Sequence, residues 1–172
     1  MKKTVLPALI LALICLVIVS LLVVTNLLTA DRIADAEKKA VRKNAESVLS
    51  SARLEEIDGD SANGFIGYGE SGEIVGYVLL GSAKGYGGDV TAVVGISLDG
   101  KITGVAISAP DETPGLGANV SKESFTAQFS GKSGVESYDA VSGATYSSEA
   151  AKDAILSALE KFEVLTGKEA RQ

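Results

Sequence analysis

The chain has 172 residues, with 16 Lys and Arg against 22 Asp and Glu, no His, one Cys and a net charge of −6. With Cys15 as the lone thiol, no intrachain disulfide can form. Cys/His zinc sites, Cys-ligated iron–sulfur clusters, c-type haem and His-dependent nucleophilic catalysis are excluded as well. The acidic balance argues against nucleic acid as a partner, and no Asp/Glu spacing matches a calcium loop.

Val5–Leu28 is a 24-residue run without charge. At about 1.5 Å per residue it reaches roughly 36 Å, enough to cross a hydrocarbon core of about 30 Å with some tilt. Pro7 falls in its first turn, where a missing N–H is tolerated. The run is longer than a signal-peptide apolar region, and Leu28-Thr29-Ala30 puts Leu where cleavage needs a small residue. An uncleaved anchor is therefore predicted. Lys2 and Lys3 precede it, whereas Asp31, Arg32, Asp35 and Glu37 follow. The positive-inside rule puts the N-terminus in the cytoplasm and the body outside the cytoplasmic membrane. That body carries 14 basic and 22 acidic residues, a net of −8.

Residues 30 to about 53 lack Gly and Pro and are rich in Ala, Glu, Lys and Arg, which predicts a helix. Ile33, Ala36, Ala40, Val41, Ala45 and Val48 give it an approximate apolar stripe. Such a helix would be either a stalk between membrane and body or an ordinary helix packed on the domain. Composition then shifts, with 18 of the 19 glycines between Gly59 and Gly143, so this region reads as rich in strands and turns. Glu73–Leu80, Val90–Ser97 and Lys101–Ser108 are predicted strands. Asp99-Gly100 signals a type I′ hairpin between the last two. Gly69-Glu70-Ser71-Gly72 would join a shorter strand, Phe65–Tyr68, to Glu73. Ser121 is placed to cap a short helix carrying Phe125 and Phe129. A final helix is expected from about Ser147 to Phe162, with Ala151, Ala154, Ile155, Ala158, Leu159 and Phe162 on its apolar face, and Gly167 closing the region. The expectation is an α+β fold: one transmembrane helix (1–29), a helical stalk (30–55), and a domain (56–172) with an antiparallel sheet and flanking helices.

The most informative stretch is Asp139-Ala140-Val141-Ser142-Gly143-Ala144-Thr145, just ahead of that helix. Small residues let backbone approach a ligand closely. The first N–H groups of a helix lack internal partners and bind anionic oxygens. Thr145 adds a hydroxyl there, and Ser147 and Ser148 are further candidate donors. The same residues would serve equally as an ordinary helix cap.

This stretch resembles the Asp-x-x-Ser-Gly-Ala-Thr motif recognised by bacterial flavin transferases, which move FMN from FAD onto the last Thr and leave a phosphoester. Glu112-Thr113-Pro114-Gly115-Leu116-Gly117-Ala118 resembles the Glu-Thr-Pro-Gly-Leu-Gly loop that lies beside the isoalloxazine ring in the covalent FMN-binding domain family. Gly85-Tyr86-Gly87-Gly88 is a weaker third match, with Lys84 and Tyr86 as residues approaching the cofactor. The elements occur in family order behind an N-terminal membrane helix. They are most similar to the G subunits of Rnf complexes, the ion-translocating ferredoxin:NAD⁺ oxidoreductases. The paralogous C subunits of sodium-pumping NADH:quinone reductases share both main motifs but are generally longer.

The resemblance implies covalent FMN on Thr145. It also implies cofactor contacts from Ser142, Gly143, Ala144, Ser147, Ser148, Glu112, Thr113, Gly115, Leu116 and Gly117. Asp139, Ser142, Gly143, Ala144 and Thr145 would be read by the transferase. It implies electron relay within a multi-subunit membrane complex, with no metal site and no complete activity in this chain alone. The competing readings are the equivalent subunit of a quinone reductase, another extracytoplasmic flavin domain, and a pilin-like structural protein. The last is weakened because the apolar run lacks the early Glu that pilin-like chains share.

Overall fold

The structure is a computed structural model that describes residues 2–57 and 64–169. The chain divides into two compact units, Met1–Ala40 and Val41–Gln172. α1 (Lys2–Val48), with Pro7 inside it, makes up the first unit and continues into the second. Every side chain from Leu6 to Ala40 is exposed. The helix is long and apolar enough to cross a membrane.

The second unit is built on a five-stranded antiparallel sheet in sequence order: β1 (Arg53–Glu56), β2 (Gly64–Tyr68), β3 (Ile74–Lys84), β4 (Asp89–Ser97) and β5 (Ile102–Ser108). The three longest predicted strands are present. The helix predicted to reach Arg53 stops at Val48, and Arg53 opens β1, paired to Tyr68. The β1 sequence, Arg-Leu-Glu-Glu, has the charged character of a protected edge strand rather than a strand's usual apolar alternation. Asp99-Gly100 does turn the β4–β5 hairpin, but not as type I′. Within this turn only Gly100 has positive φ (77°), since no non-glycine among the described residues does. Gly100 N–H donates to the Ser97 carbonyl (3.0 Å) and Ser97 N–H to that of Lys101 (2.9 Å), so Leu98–Gly100 form a three-residue loop.

The alternation of side chains along each strand gives the sheet two buried faces. One carries Leu79, Val90, Ala92, Val94, Ile96 and Ile102 against α3 (Thr145–Glu169), which supplies Ala151, Ala154, Ile155, Ala158 and Phe162. Each full burial of a Val, Leu, Ile or Phe contributes about 1.5–3 kcal/mol. Gly81 sets the spacing: a Cβ there would collide with the Ala154 carbonyl. The helix starts two residues earlier than the apolar pattern predicts and runs through Gly167. The other face carries Phe65, Val78 and Val93 against Ala45, Val48 and Leu49 at the end of α1. Gly76, Gly95 and Gly104 admit that segment closely, and Thr103 Oγ1 donates to the Val48 carbonyl (2.6 Å). The two alternatives for the helix after residue 30 thus divide at Val41. Ile33, Ala36 and Ala40 are exposed, while Ala45 and Val48 are packed.

Between β5 and α3 lie two 3₁₀ turns (Gly117–Ser121 and Ala127–Phe129) and one short helical turn, α2 (Glu123–Thr126). Ser121 does not cap α2. It belongs to the preceding 3₁₀ turn, and Lys122 sits at the N-cap without a side-chain bond. Phe125 and Phe129 are both buried, in edge contact at 5.5 Å.

Gly81→Ala is expected to lower stability by about 1–3 kcal/mol through overpacking against α3. Ser82→Ala, one residue on and exposed, should stay within about 0.5 kcal/mol of the parent. Urea denaturation of the full chain in detergent measures both; equal midpoints for the two variants would contradict this packing.

Candidate functional site

Three loops meet at the N-terminus of α3. The first is the Val141–Ala144 turn. Ala144 N–H donates to the Val141 carbonyl (2.9 Å), and Gly143 takes φ 77° at the third position, where a turn of type II geometry needs glycine. Ser148 N–H donates to the Ala144 carbonyl (2.9 Å), closing the first helical bond. The Ser148 hydroxyl donates to that same carbonyl (2.9 Å) and accepts from Val141 N–H (3.0 Å). The turn is thereby fastened from inside the helix.

Thr145 is the first residue of α3 and is exposed. Its hydroxyl has no hydrogen-bond partner among the described residues, and neither do the N–H groups of Thr145, Tyr146 and Ser147. Unpaired donors of this kind belong to any helix start. Here they stand beside a free hydroxyl.

The second loop follows β5. Pro114 and Gly115 form the centre of a turn closed by Leu116 N–H on the Thr113 carbonyl (3.1 Å), with Gly115 at φ 77°. Leu116 is 43% exposed and lies against Gly143: its Cδ1 is 3.3 Å from where a Cβ on that glycine would stand. The third loop, Gly85–Gly88, presents Tyr86, which is 77% exposed. Its ring meets that of exposed Tyr146 edge-on at 6.4 Å. Lys84 pairs with Asp89 at 3.5 Å on the surface.

Glu112 ties the loops together. Its side chain is buried. Oε1 accepts Tyr86 N–H (2.7 Å) and Gly87 N–H (3.2 Å), while Oε2 accepts the Ser147 hydroxyl (2.7 Å). Burial alone would raise the carboxyl. The bonds from Ser147, Gly87 and Tyr86 outweigh it and hold Glu112 below its ordinary value of 4.5. Gly117 is packed against the same pair, since a Cβ there would meet both Glu112 Oε2 and Ser147 Oγ.

The structure therefore gathers the residues singled out in sequence but sorts them by direction. Thr145, Ser142, Gly143, Leu116, Thr113 and Gly115 are exposed, as are Tyr86 and Tyr146. Ala144, Ser147, Ser148, Glu112 and Gly117 are buried. The hydroxyls of Ser147 and Ser148, expected as ligand donors, are engaged inside the protein. Asp139 lies further up the chain, exposed, with its carboxylate unpartnered among the described residues. Sequence reasoning missed Tyr146 and also Gln128, whose amide bonds the Asp139 backbone. Tyr146 follows the motif directly, so its position was a usable signal, whereas Gln128 carried none.

Residues 85–160 match the FMN-binding domain family, and residues 1–48 match the RnfG N-terminal region. The G subunit of the ion-translocating oxidoreductase complex of Methanosarcina acetivorans is 34% identical over 145 residues, covering 74% of this chain and 75% of its own. The G subunit of the proton-translocating ferredoxin:NAD(+) oxidoreductase complex of Clostridium ljungdahlii is 36% identical over 104 residues, covering 54% of this chain and 56% of its own. The Na(+)-translocating counterpart from Acetobacterium woodii is 41% identical over 104 residues, covering 60% of this chain and 49% of its own. The chain thus spans about half the length of the last two relatives. In fold it is similar to the crystal structure of the C subunit of Na(+)-translocating NADH-quinone reductase from Parabacteroides distasonis, with a TM-score of 0.51 and 21% identity over 75% of this chain and 81% of that one.

Because folding depresses the Glu112 carboxyl, its stabilising contribution is complete above about pH 4.5 and lost as pH falls through the folded-state value. Glu112→Ala should cost about 2–3 kcal/mol at neutral pH, since it strands donors that now meet a charge. Glu112→Gln should flatten the acid limb of a plot of urea midpoint against pH. An unchanged acid limb in Glu112→Gln would count against the clamp.

Proposed function

The chain belongs to the family of Rnf complex G subunits, and from that premise we propose that it carries electrons through an FMN esterified to Thr145. One observation carries the reading. Within the stretch that matches the FMN-binding family, Thr145 offers an exposed hydroxyl that, like the three N–H groups beside it, has no partner among the described residues.

The surroundings fit such a group. The free N–H groups and the positive end of the α3 dipole favour a phosphate, an effect of about 0.3–1 kcal/mol for an exposed anion. Leu116, Tyr86 and Tyr146 are exposed around the same helix start and supply apolar surface for a ring system. Gly143 leaves the ground between Leu116 and Thr145 uncluttered. When bound, FMN would supply one-electron chemistry. On this reading Thr145 Oγ would take the FMN phosphoryl group from FAD: the Oγ–P bond would form as the pyrophosphate P–O bond breaks, AMP would leave with that bond's electrons, and the hydroxyl proton would be released to solvent. Glu112 keeps the three loops together, and Ser148 holds the turn so that Thr145 faces out.

On this reading residues 1–29 span the cytoplasmic membrane with the N-terminus inside, as Lys2 and Lys3 favour. Residues 30–40 link that span to an extracytoplasmic flavin domain that starts near Val41, because the end of α1 packs in its core and β1 is part of its sheet. The neighbouring subunits of a ferredoxin:NAD⁺ oxidoreductase supply and remove the electrons, and the assembled complex, not this chain, couples them to ion movement. The described part of the span carries no charged side chain from Leu6 to Leu28 with which to hold an ion.

Co-expression with a flavin transferase should give protein whose flavin fluorescence survives denaturation and whose intact mass carries one FMN phosphoryl adduct. Thr145→Ala should carry none. An equally labelled Thr145→Ala protein would falsify the attachment site.

A further inference from the structure

Gln128 lies outside every motif recognised in the sequence, yet its side chain is bonded to the first residue of the proposed modification segment. Gln128 Oε1 accepts Asp139 N–H (2.6 Å), and Nε2 donates to the Asp139 carbonyl (3.2 Å). The same Nε2 also donates to the Phe125 carbonyl (2.8 Å). Both polar ends of the amide are engaged, and the three bonds together fix which end is oxygen. Both backbone groups of Asp139 are held by one side chain, much as an opposing strand residue would hold them.

The anchorage is otherwise apolar. Next to Asp139, Tyr138 packs on Phe125 (6.3 Å) and Phe129 (6.1 Å), contacts that fix depth but not direction. The amide supplies direction, and the Asp139 carboxylate stays exposed, with no partner among the described residues. Further along, Ser148 holds Val141 N–H, and Glu112 holds Ser147. Residues 139–145, exposed except for half-buried Val141 and buried Ala144, thus form a strap pinned at its start by Gln128, at Val141 by Ser148, and just beyond its end by Glu112. Only the Gln128 pin is made by a residue far from both motifs.

We propose that Gln128 is a positioning residue for FMN transfer: by clamping the Asp139 backbone it presents the strap in one conformation to the transferring enzyme. The inference rests on the reading that Thr145 is the acceptor. A partner that binds a pre-ordered segment avoids the entropy of ordering it. Loss of the clamp therefore weakens capture of the protein substrate and leaves the chemical step at Thr145 Oγ alone.

The test uses the full chain in detergent, a flavin transferase and FAD, with adduct formation followed by mass. Gln128→Met is close in length and volume and removes all three bonds. Its KM as substrate should rise roughly tenfold, the equivalent of one to two net hydrogen bonds, with kcat unchanged. Gly76→Ala, which crowds Leu49 on the opposite face of the sheet, should keep the parent's KM. Amide exchange at Asp139, read on the folded protein, should quicken in Gln128→Met and stay slow in Gly76→Ala. An unchanged KM in Gln128→Met overturns the proposal while leaving the Thr145 assignment intact, and so does an equal rise in Gly76→Ala. If the parent chain accepts no FMN at all, the Thr145 reading fails and the role of Gln128 falls with it.

Discussion

A single buried carboxylate organises the site. Glu112 receives two N–H groups from the β3–β4 loop and a hydroxyl from the first turn of α3. Those segments are far apart in sequence, and no strand pairing joins them. A buried carboxylate is tolerable only when its charge is met by donors, and here three donors meet it. This makes the junction cooperative, because removing any one donor leaves the same charge less well compensated. The glycines around it follow from that demand. Gly85, Gly87 and Gly117 stand where a Cβ would strike the carboxylate, its hydroxyl partner or the adjoining backbone.

The sheet and helices serve this junction by holding its parts at fixed distances. α3 lies on β3 and β4 through a face of Ala and Ile, and Gly81 lets the two backbones come close. The short β3–β4 connection is therefore placed over the helix start. On the far side, the end of α1 rests on glycine positions of the sheet, with Val48 bonded through its carbonyl to Thr103. In both layers glycines stand at the points of closest approach, Gly81 on one face and Gly76, Gly95 and Gly104 on the other, with larger apolar side chains packed around them. The result is a rigid platform for loops whose own bonds are few.

Much of the scaffold was legible in the sequence because it follows from local pattern. The uncharged run, the apolar alternation of β3 to β5 and the helical spacing of Ala151, Ala154, Ile155 and Ala158 need no knowledge of what they touch. Where the sequence misled, the deciding partner was distant or geometric. The helical composition runs on to about Arg53, whereas the helix ends at Val48 and Arg53–Glu56 becomes a strand through β2. Ser121 has the right chemistry for a cap, but the chain turns one residue later. Asp99-Gly100 marks the hairpin correctly, while the extra loop residue that changes the turn type leaves no trace in composition. At the site, the motif indicated which residues gather and not which way they point. Ser147 and Thr145 are two residues apart on a helix, which puts them on different faces, so one turns to Glu112 and the other to solvent.

That division has a consequence for chemistry at this surface. Ser142, Thr145, Ser147 and Ser148 put four similar alcohols within seven residues, and an extended chain would offer them all. In the folded protein two are buried and engaged, so the tertiary structure acts as a protecting group does in synthesis. Regioselectivity is thereby settled in part before any modifying enzyme arrives, and a chain that reacted ahead of folding would forfeit it.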